Sequence, residues 1–136
     1  MYKAIMVPID LWQAEKGKAT IEVAKKLGEE SIRIMLINVV DVTPIYVAPE
    51  IPGDLIEKAK DNAQSTLENM AKAAGVKADV EVLSGSPAAA ILTAAKNKSA
   101  DLIIIASHQP GLQDYLLGST AARVVRHAIC SVLVVR

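Results

Sequence analysis

Leu102-Ile103-Ile104-Ile105 places four apolar side chains in a row. A strand sends successive side chains to opposite faces, so such a run has no wet face and belongs in a sheet covered on both sides. Tyr2 to Val7, Ser31 to Val39 and Val132 to Val135 have the same near-continuous character, as does the whole stretch Asp101 to Ala106. A fifth strand, Asp79 to Leu83, differs: Asp79, Val80, Glu81 and Val82 alternate charged with apolar, which suits an edge with one solvated face.

Between these strands the hydrophobic period lengthens to three or four. Trp12 to Leu27 carries Ile21, Ala24 and Leu27, and Asp54 to Ala74 repeats Leu55, Ala59, Ala63, Leu67, Met70 and Ala74. Ser86 to Lys96 opens on Ser-Pro, a good pair for a helix cap and first turn, and Gly118 to Ala128 completes the series. Alternating strands and helices predict an α/β fold, a three-layer sandwich with a five-stranded, parallel, doubly wound sheet. Right-handed crossovers and a central first strand favour the order 3-2-1-4-5. The 136 residues hold no repeat, linker or low-complexity tract, which predicts one domain over 1–136. A domain near this size buries roughly 70 per cent of its unfolded surface and requires no disulfide or metal staple.

Fifteen basic and fifteen acidic residues cancel, so there is no broad positive field to hold a nucleic-acid backbone or an anionic membrane. The N-terminal apolar run is interrupted at Pro8 and Asp10, too short for a signal peptide, and no segment is long enough to span a bilayer. Cys130 is the single cysteine, set among Ala128, Ile129 and Val132, and reads as a buried, inert thiol in a reducing cytosol.

In a doubly wound sheet the ligand crevice lies beyond the carboxyl ends of the strands. Pro8, Ile9 and Asp10 arrive there from the first strand, Asn38 to Asp41 from the second, and Ala106, Ser107 and His108 from the fourth. The Asp10 carboxylate is suited to accept from ribose hydroxyls, to hold a magnesium ion bridging phosphates, or simply to cap the following helix. Val39 falls where a nucleotide base would lie, with its main chain rather than its side chain doing any reading. Gly118-Ser119-Thr120 opens the last helix, where free amides and the positive end of the helix dipole favour phosphate. Arg123, one turn in, is within reach of a phosphate, whereas Arg126 and His127 sit at the opposite end and suit the dipole there. The connection from Asp41 to Gly53, with Pro44, Pro49, Pro52 and Tyr46, is long enough to read as a cover for the crevice or a contact with a partner subunit. Trp12 belongs near the same mouth or on the surface of the first helix.

Several chemistries are disfavoured. His108, Ser119 and Asp10 contain the types of a hydrolytic triad, but no G-x-S-x-G elbow exposes a nucleophile. Two histidines and one cysteine at wide spacing make no metal cluster. No G-x-x-x-x-G-K-[ST] loop is present, so fast phosphoryl transfer is not expected and no catalytic residue is assigned.

Lys3-Ala4-Ile5-Met6-Val7-Pro8-Ile9-Asp10, Gly85-Ser86-Pro87, the run from Asp101 to His108, and Leu117-Gly118-Ser119 through Ser131 to Val135 together resemble a universal stress protein of the UspA superfamily. The resemblance spans the chain and is nearest to bacterial F/G-type members, which share Ala-Ser-His-x-Pro, Tyr-Leu-Leu-Gly-Ser and Val-Val-Arg-His-Ala. It implies an adenine nucleotide alpha hydrolase-like sandwich, dimers through the last strand, and ATP or AMP held along G-x-x-G-x(9)-G-[ST]. Here Ala106 and Gln109 stand in place of the first two glycines, Pro110 lacks a donor, and the loop to Gly118 is one residue shorter; Gly118 and Ser119 match. The implied nucleotide-binding set is Pro8, Ile9, Asp10, Val39, Ala106, Ser107, His108, Gln109, Gly118, Ser119 and Thr120. The expected function is a cytoplasmic, ATP- or AMP-dependent stress-response dimer with at most slow hydrolysis. Its alternative is a module that has lost the nucleotide and works through protein partners. The apolar last strand would template aggregation as a bare edge, so pairing with a second copy is expected.

Overall fold

The computed structural model describes residues 1–41, 53–107 and 118–136. Strand β1 (Tyr2–Pro8) leads through a 3₁₀ turn (Leu11–Gln13) into α1 (Ala14–Leu27) and then β2 (Gly28–Asp41). Helix α2 (Gly53–Ala74) precedes β3 (Ala78–Gly85), followed by α3 (Pro87–Asn97), β4 (Leu102–Ala106), α4 (Ser119–His127) and β5 (Ser131–Val135). The five strands pair in parallel in the order β3-β2-β1-β4-β5, as the fold rules predict. The expected cover, residues 42–52, and the residues 108–117 lie outside the described ones.

The period of two along the strands divides the interior into two cores. Ile5, Val7, Ile34, Leu36, Leu102 and Ile104 face α1 and α2, where Ile21, Ala24, Leu67 and Met70 meet them. Met6, Met35, Ile37, Ile103 and Ile105 face the other way, against Ala88, Ile91 and Ala94 of α3 and Ala121 and Val124 of α4. Burying each large apolar side chain contributes about 1.5–3 kcal/mol, so the central strands supply much of the stability. Gly17 lets α1 lie close to β1 and α2: a Cβ there would meet Ile9 Cγ2 at 2.8 Å and Met70 Cε at 3.0 Å.

Of the boundaries that differ from the sequence expectation, two have a clear local cause. Strand β2 starts at Gly28 instead of Ser31, because α1 passes into it without intervening turn residues. Tyr2 pairs with Gly28 and Ala4 with Arg33, so two steps along β1 correspond to five along β2 and the surplus is absorbed as an irregularity. Helix α1 starts at Ala14 instead of Trp12, because Asp10 holds a tight turn ahead of it: its Oδ1 accepts from Trp12 N at 2.9 Å and its carbonyl from Gln13 N at 2.9 Å.

At the amino ends of the strands, Asp101 joins β1 to β4. Its carboxylate accepts from Lys3 N at 2.9 Å and Ala4 N at 3.0 Å, and its own N–H donates to the Ala4 carbonyl at 2.9 Å. The charges of β3 are paired, Asp79 with Arg33 at 3.1 Å and Glu81 with Lys98 at 2.6 Å. Cys130 is half-buried against the α3/α4 core, not fully buried as its apolar neighbours suggested, because Ile129 beside it is exposed at the start of the edge strand. Partial burial, and then the nearby Asp101 carboxylate, push its thiol above the ordinary value.

Candidate functional site

The carboxyl ends of β1, β2 and β4 open into a cleft of about 700 Å³, within the range of small-molecule sites. Its floor is apolar, from Ile37, Val39, Ile91 and Ile105. One lip is the Asp10–Trp12 turn, and the facing wall is the middle of α2, through Ala59, Asn62 and Thr66. The amino ends of α3 (Pro87) and α4 (Thr120, Ala121) complete the lining.

The turn after β1 is held rigidly. Ile9 N donates to the Ile37 carbonyl at 2.7 Å, and Asn38 Nδ2 donates to the Ile9 carbonyl at 2.9 Å. These bonds continue the β1–β2 pairing past the strand end and fix where Asp10 emerges. The Asp10 carboxylate therefore performs the capping role while also lining the cleft. Asp41, at the end of β2, lines it as well, and these two carboxylates are the charged members of the described lining.

Gly118 is the N-cap of α4, with φ 87° and ψ 154°. That combination is essentially restricted to glycine, so the residue is required by the backbone itself, whatever approaches it. Among the described residues no side chain caps the helix; Ala122 N reaches the Gly118 carbonyl at 3.0 Å, and the amides of the first turn precede it. The first-turn amides of a helix are donors suited to an acceptor, and the dipole favours an anionic one.

The cleft gathers Pro8, Ile9, Asp10, Val39, Ala106 and Thr120 from the expected set. Ser107 is instead buried behind it, its N–H donating to the Val135 carbonyl at 2.9 Å and its own carbonyl accepting from Lys16 Nζ. Ser119 is exposed and not among the lining residues, because the helix turns about 100° per residue and brings Thr120 and Ala121, not Ser119, over the cleft. Gly118 adjoins the cleft without lining it, and His108 and Gln109 lie outside the described residues. Arg123 is exposed and away from the lining, while Arg126 and His127 occupy the last turn as the dipole favours.

Two features were missed by the sequence reading. The apolar stripe of α2 does not announce a cleft wall, although Asn62 and Thr66 flank it next to two small residues, Ala59 and Ala63. Lys16, on the first turn of α1, brings a part-buried ammonium to the end of β4 with the Ser107 carbonyl as its partner. A lone lysine between Glu15 and Gly17 carries no motif that would have revealed this. Among the described residues no group of three or more His, Cys, Asp or Glu could hold a metal ion, and no helix is long and apolar enough to cross a membrane.

Residues 1–136 match the family described as Universal stress protein family. The chain is 37% identical to universal stress protein MJ0531 of Methanocaldococcus jannaschii, over all of this chain and 83% of that one. It is 29% identical to universal stress protein G of Shigella flexneri, over the whole of both chains. Its fold is similar to that of hypothetical protein MJ0577, with a TM-score of 0.84, 28% identity and coverage of 99% of this chain and 96% of that one. The same fold is found at lower identity in a universal stress protein solved in complex with cAMP (TM-score 0.66, 22% identity, covering 99% and 97%). It recurs in one from Archaeoglobus fulgidus solved in complex with dAMP (TM-score 0.68, 18% identity, covering 99% and 98%).

Proposed function

Because the chain belongs to the universal stress protein family, we propose that its cleft binds an adenine nucleotide, ATP or AMP, and that the protein acts in the stress response as a nucleotide-dependent signalling dimer. The observation that carries this reading is the convergence, in one cleft of about 700 Å³, of an apolar floor, the Asp10 carboxylate and the first turn of α4. The three match the three parts of a nucleotide. A base lies on Val39 and Ile37, ribose hydroxyls donate to Asp10, and a phosphate takes the amides around Thr120. Proteins of this fold solved in complex with cAMP and dAMP support an adenine nucleotide as the ligand class.

Phosphate count and metal go together in this site. AMP brings less charge than a bare triphosphate into the cleft and is the ligand proposed without metal. With ATP, a magnesium ion would be held by Asp10 and phosphate oxygens, a hard cation on oxygen ligands, and would supply charge neutralisation. The work of the chain's own residues is binding and orientation, with at most slow hydrolysis. Calorimetric titration of nucleotide-stripped protein with AMP, and with ATP in the presence and absence of magnesium, tests the proposal. Heat with AMP at micromolar to sub-millimolar concentration is the expected result, and no heat at millimolar nucleotide would overturn it.

That second outcome would favour the other reading, a cytosolic interaction module acting through protein partners. The acidic lining and the Ala106 and Gln109 replacements are its supporting observations. Both readings share a homodimer through β5. This strand is an edge with Leu133 exposed, and Val125 and Ile129 are exposed on the segment leading into it. Antiparallel pairing with a second copy would satisfy its open backbone groups. Light scattering on the eluting protein at micromolar concentration should give twice the mass of the chain, and Leu133→Lys should shift it toward the single mass.

A further inference from the structure

We propose that Trp12 is a ligand-contacting residue whose indole stacks on the flat base of the bound nucleotide, closing the open lip of the cleft; this rests on the nucleotide reading above. Trp12 is 96% exposed although it is among the residues lining the cleft. Tryptophan is the side chain with the largest apolar surface to remove from water, and an indole left almost wholly solvated at the edge of a cavity is a surface awaiting a partner. Leu55, Val125 and Ile129 are also exposed, but they do not line the cleft.

The root of this side chain is fixed while its tip is not packed. Asp10 Oδ1 accepts from Trp12 N at 2.9 Å, and the turn is tied to β2 by the Ile9–Ile37 and Asn38–Ile9 bonds at 2.7 and 2.9 Å. Holding the backbone in place before the ligand arrives reduces the ordering cost of a contact to the rotation of two side-chain torsions. Across the cleft, Ala59, Asn62 and Thr66 present short side chains, so the wall facing Trp12 leaves room for a planar group between them.

The charges decide which part of the ligand meets the ring. The amides of α4, at the positive end of its dipole, attract phosphate, and they belong to the opposite side of the sheet from the α2 wall that Trp12 adjoins. The base is therefore the part that meets Trp12. Stacking of a base on an aromatic ring is tolerant of base identity, so Trp12 supplies affinity for a heterocycle in general and leaves the choice of adenine to the main chain near Val39.

Trp12 is the chain's sole tryptophan, and its emission is a single-site reporter. Wild type, Trp12→Ala and Trp12→Phe are titrated with adenosine, AMP and ribose 5-phosphate, following heat and, where Trp12 is present, emission. Adenosine and AMP should change Trp12 emission, and Trp12→Ala should weaken both by roughly 5- to 100-fold. Trp12→Phe should recover part of the loss, and ribose 5-phosphate should bind all three proteins alike. Thermal unfolding of Trp12→Ala should match wild type, since the ring supports no packing. Heat from wild type with unchanged affinity in Trp12→Ala overturns the Trp12 proposal alone. Equal weakening toward ribose 5-phosphate overturns it too, as does a change in assembly mass without a change in affinity. No heat from wild type with adenosine or AMP overturns it together with the nucleotide reading.

Discussion

The two ends of the sheet solve opposite problems with the same kind of residue. At the amino end Asp101 spends its carboxylate on two backbone N–H groups of β1, and α1 enters β2 without a turn between them. At the carboxyl end Asp10 also caps backbone, but it does so on the rim of a cavity, beside a solvated tryptophan and the start of α4. The first end is stitched closed and the second is held open. Stability and ligand chemistry are thereby assigned to different ends of one set of strands, and substitutions should separate them.

The largest effect is expected at the closed end. Asp101→Ala removes two charge-assisted bonds and should lower unfolding free energy by about 3 kcal/mol, read as a shift of the denaturant midpoint, with AMP affinity preserved. A matching loss of affinity would break the comparison. Gly118→Ala should cost about 2 kcal/mol, because the backbone at φ 87° and ψ 154° has no comfortable place for a Cβ. It should also weaken AMP binding, since α4 presents its first turn from that residue. Asp10→Asn keeps an oxygen for Trp12 N, so stability should move by less than about 0.5 kcal/mol while affinity for AMP falls about ten-fold in calorimetry.

The smallest effect concerns Cys130, which lies toward the closed end near Asp101. Its raised pKa keeps the thiol uncharged through neutral pH. Alkylation of the native protein should then be slower than that of an unfolded control at the same pH, and should accelerate only above the range where the control titrates. The sign for stability follows: the contribution of the neutral thiol is complete below the unfolded pKa and is lost as pH rises through the folded one.

Strand identity and order were legible because each central strand is apolar on both faces and only Asp79 to Leu83 alternates. Those patterns are consequences of burial that survive in the sequence. The extra residues at the start of β2 were not legible, since Gly28 and its charged neighbours resemble a turn and join the sheet only through the irregular pairing with Tyr2. At the cleft, the strand ends Pro8 to Asp10, Val39 and Ala106 followed from topology alone. The phase of α4 did not: Gly118, Ser119 and Thr120 were all expected at the cleft, and of the three Thr120 lines it. Lys16 and the α2 wall depend on which way two helices roll against the sheet, a matter settled by packing such as the contact of Gly17 with Ile9 and Met70.

The bond from Ser107 N to the Val135 carbonyl gives the molecule a short internal lever. Ala106 forms part of the cavity lining, and the next peptide grips the final residue of the outermost strand. A shift of Ala106 by a fraction of an ångström is thereby carried to the tail of the sheet's outer strand, with a single peptide plane as the linkage.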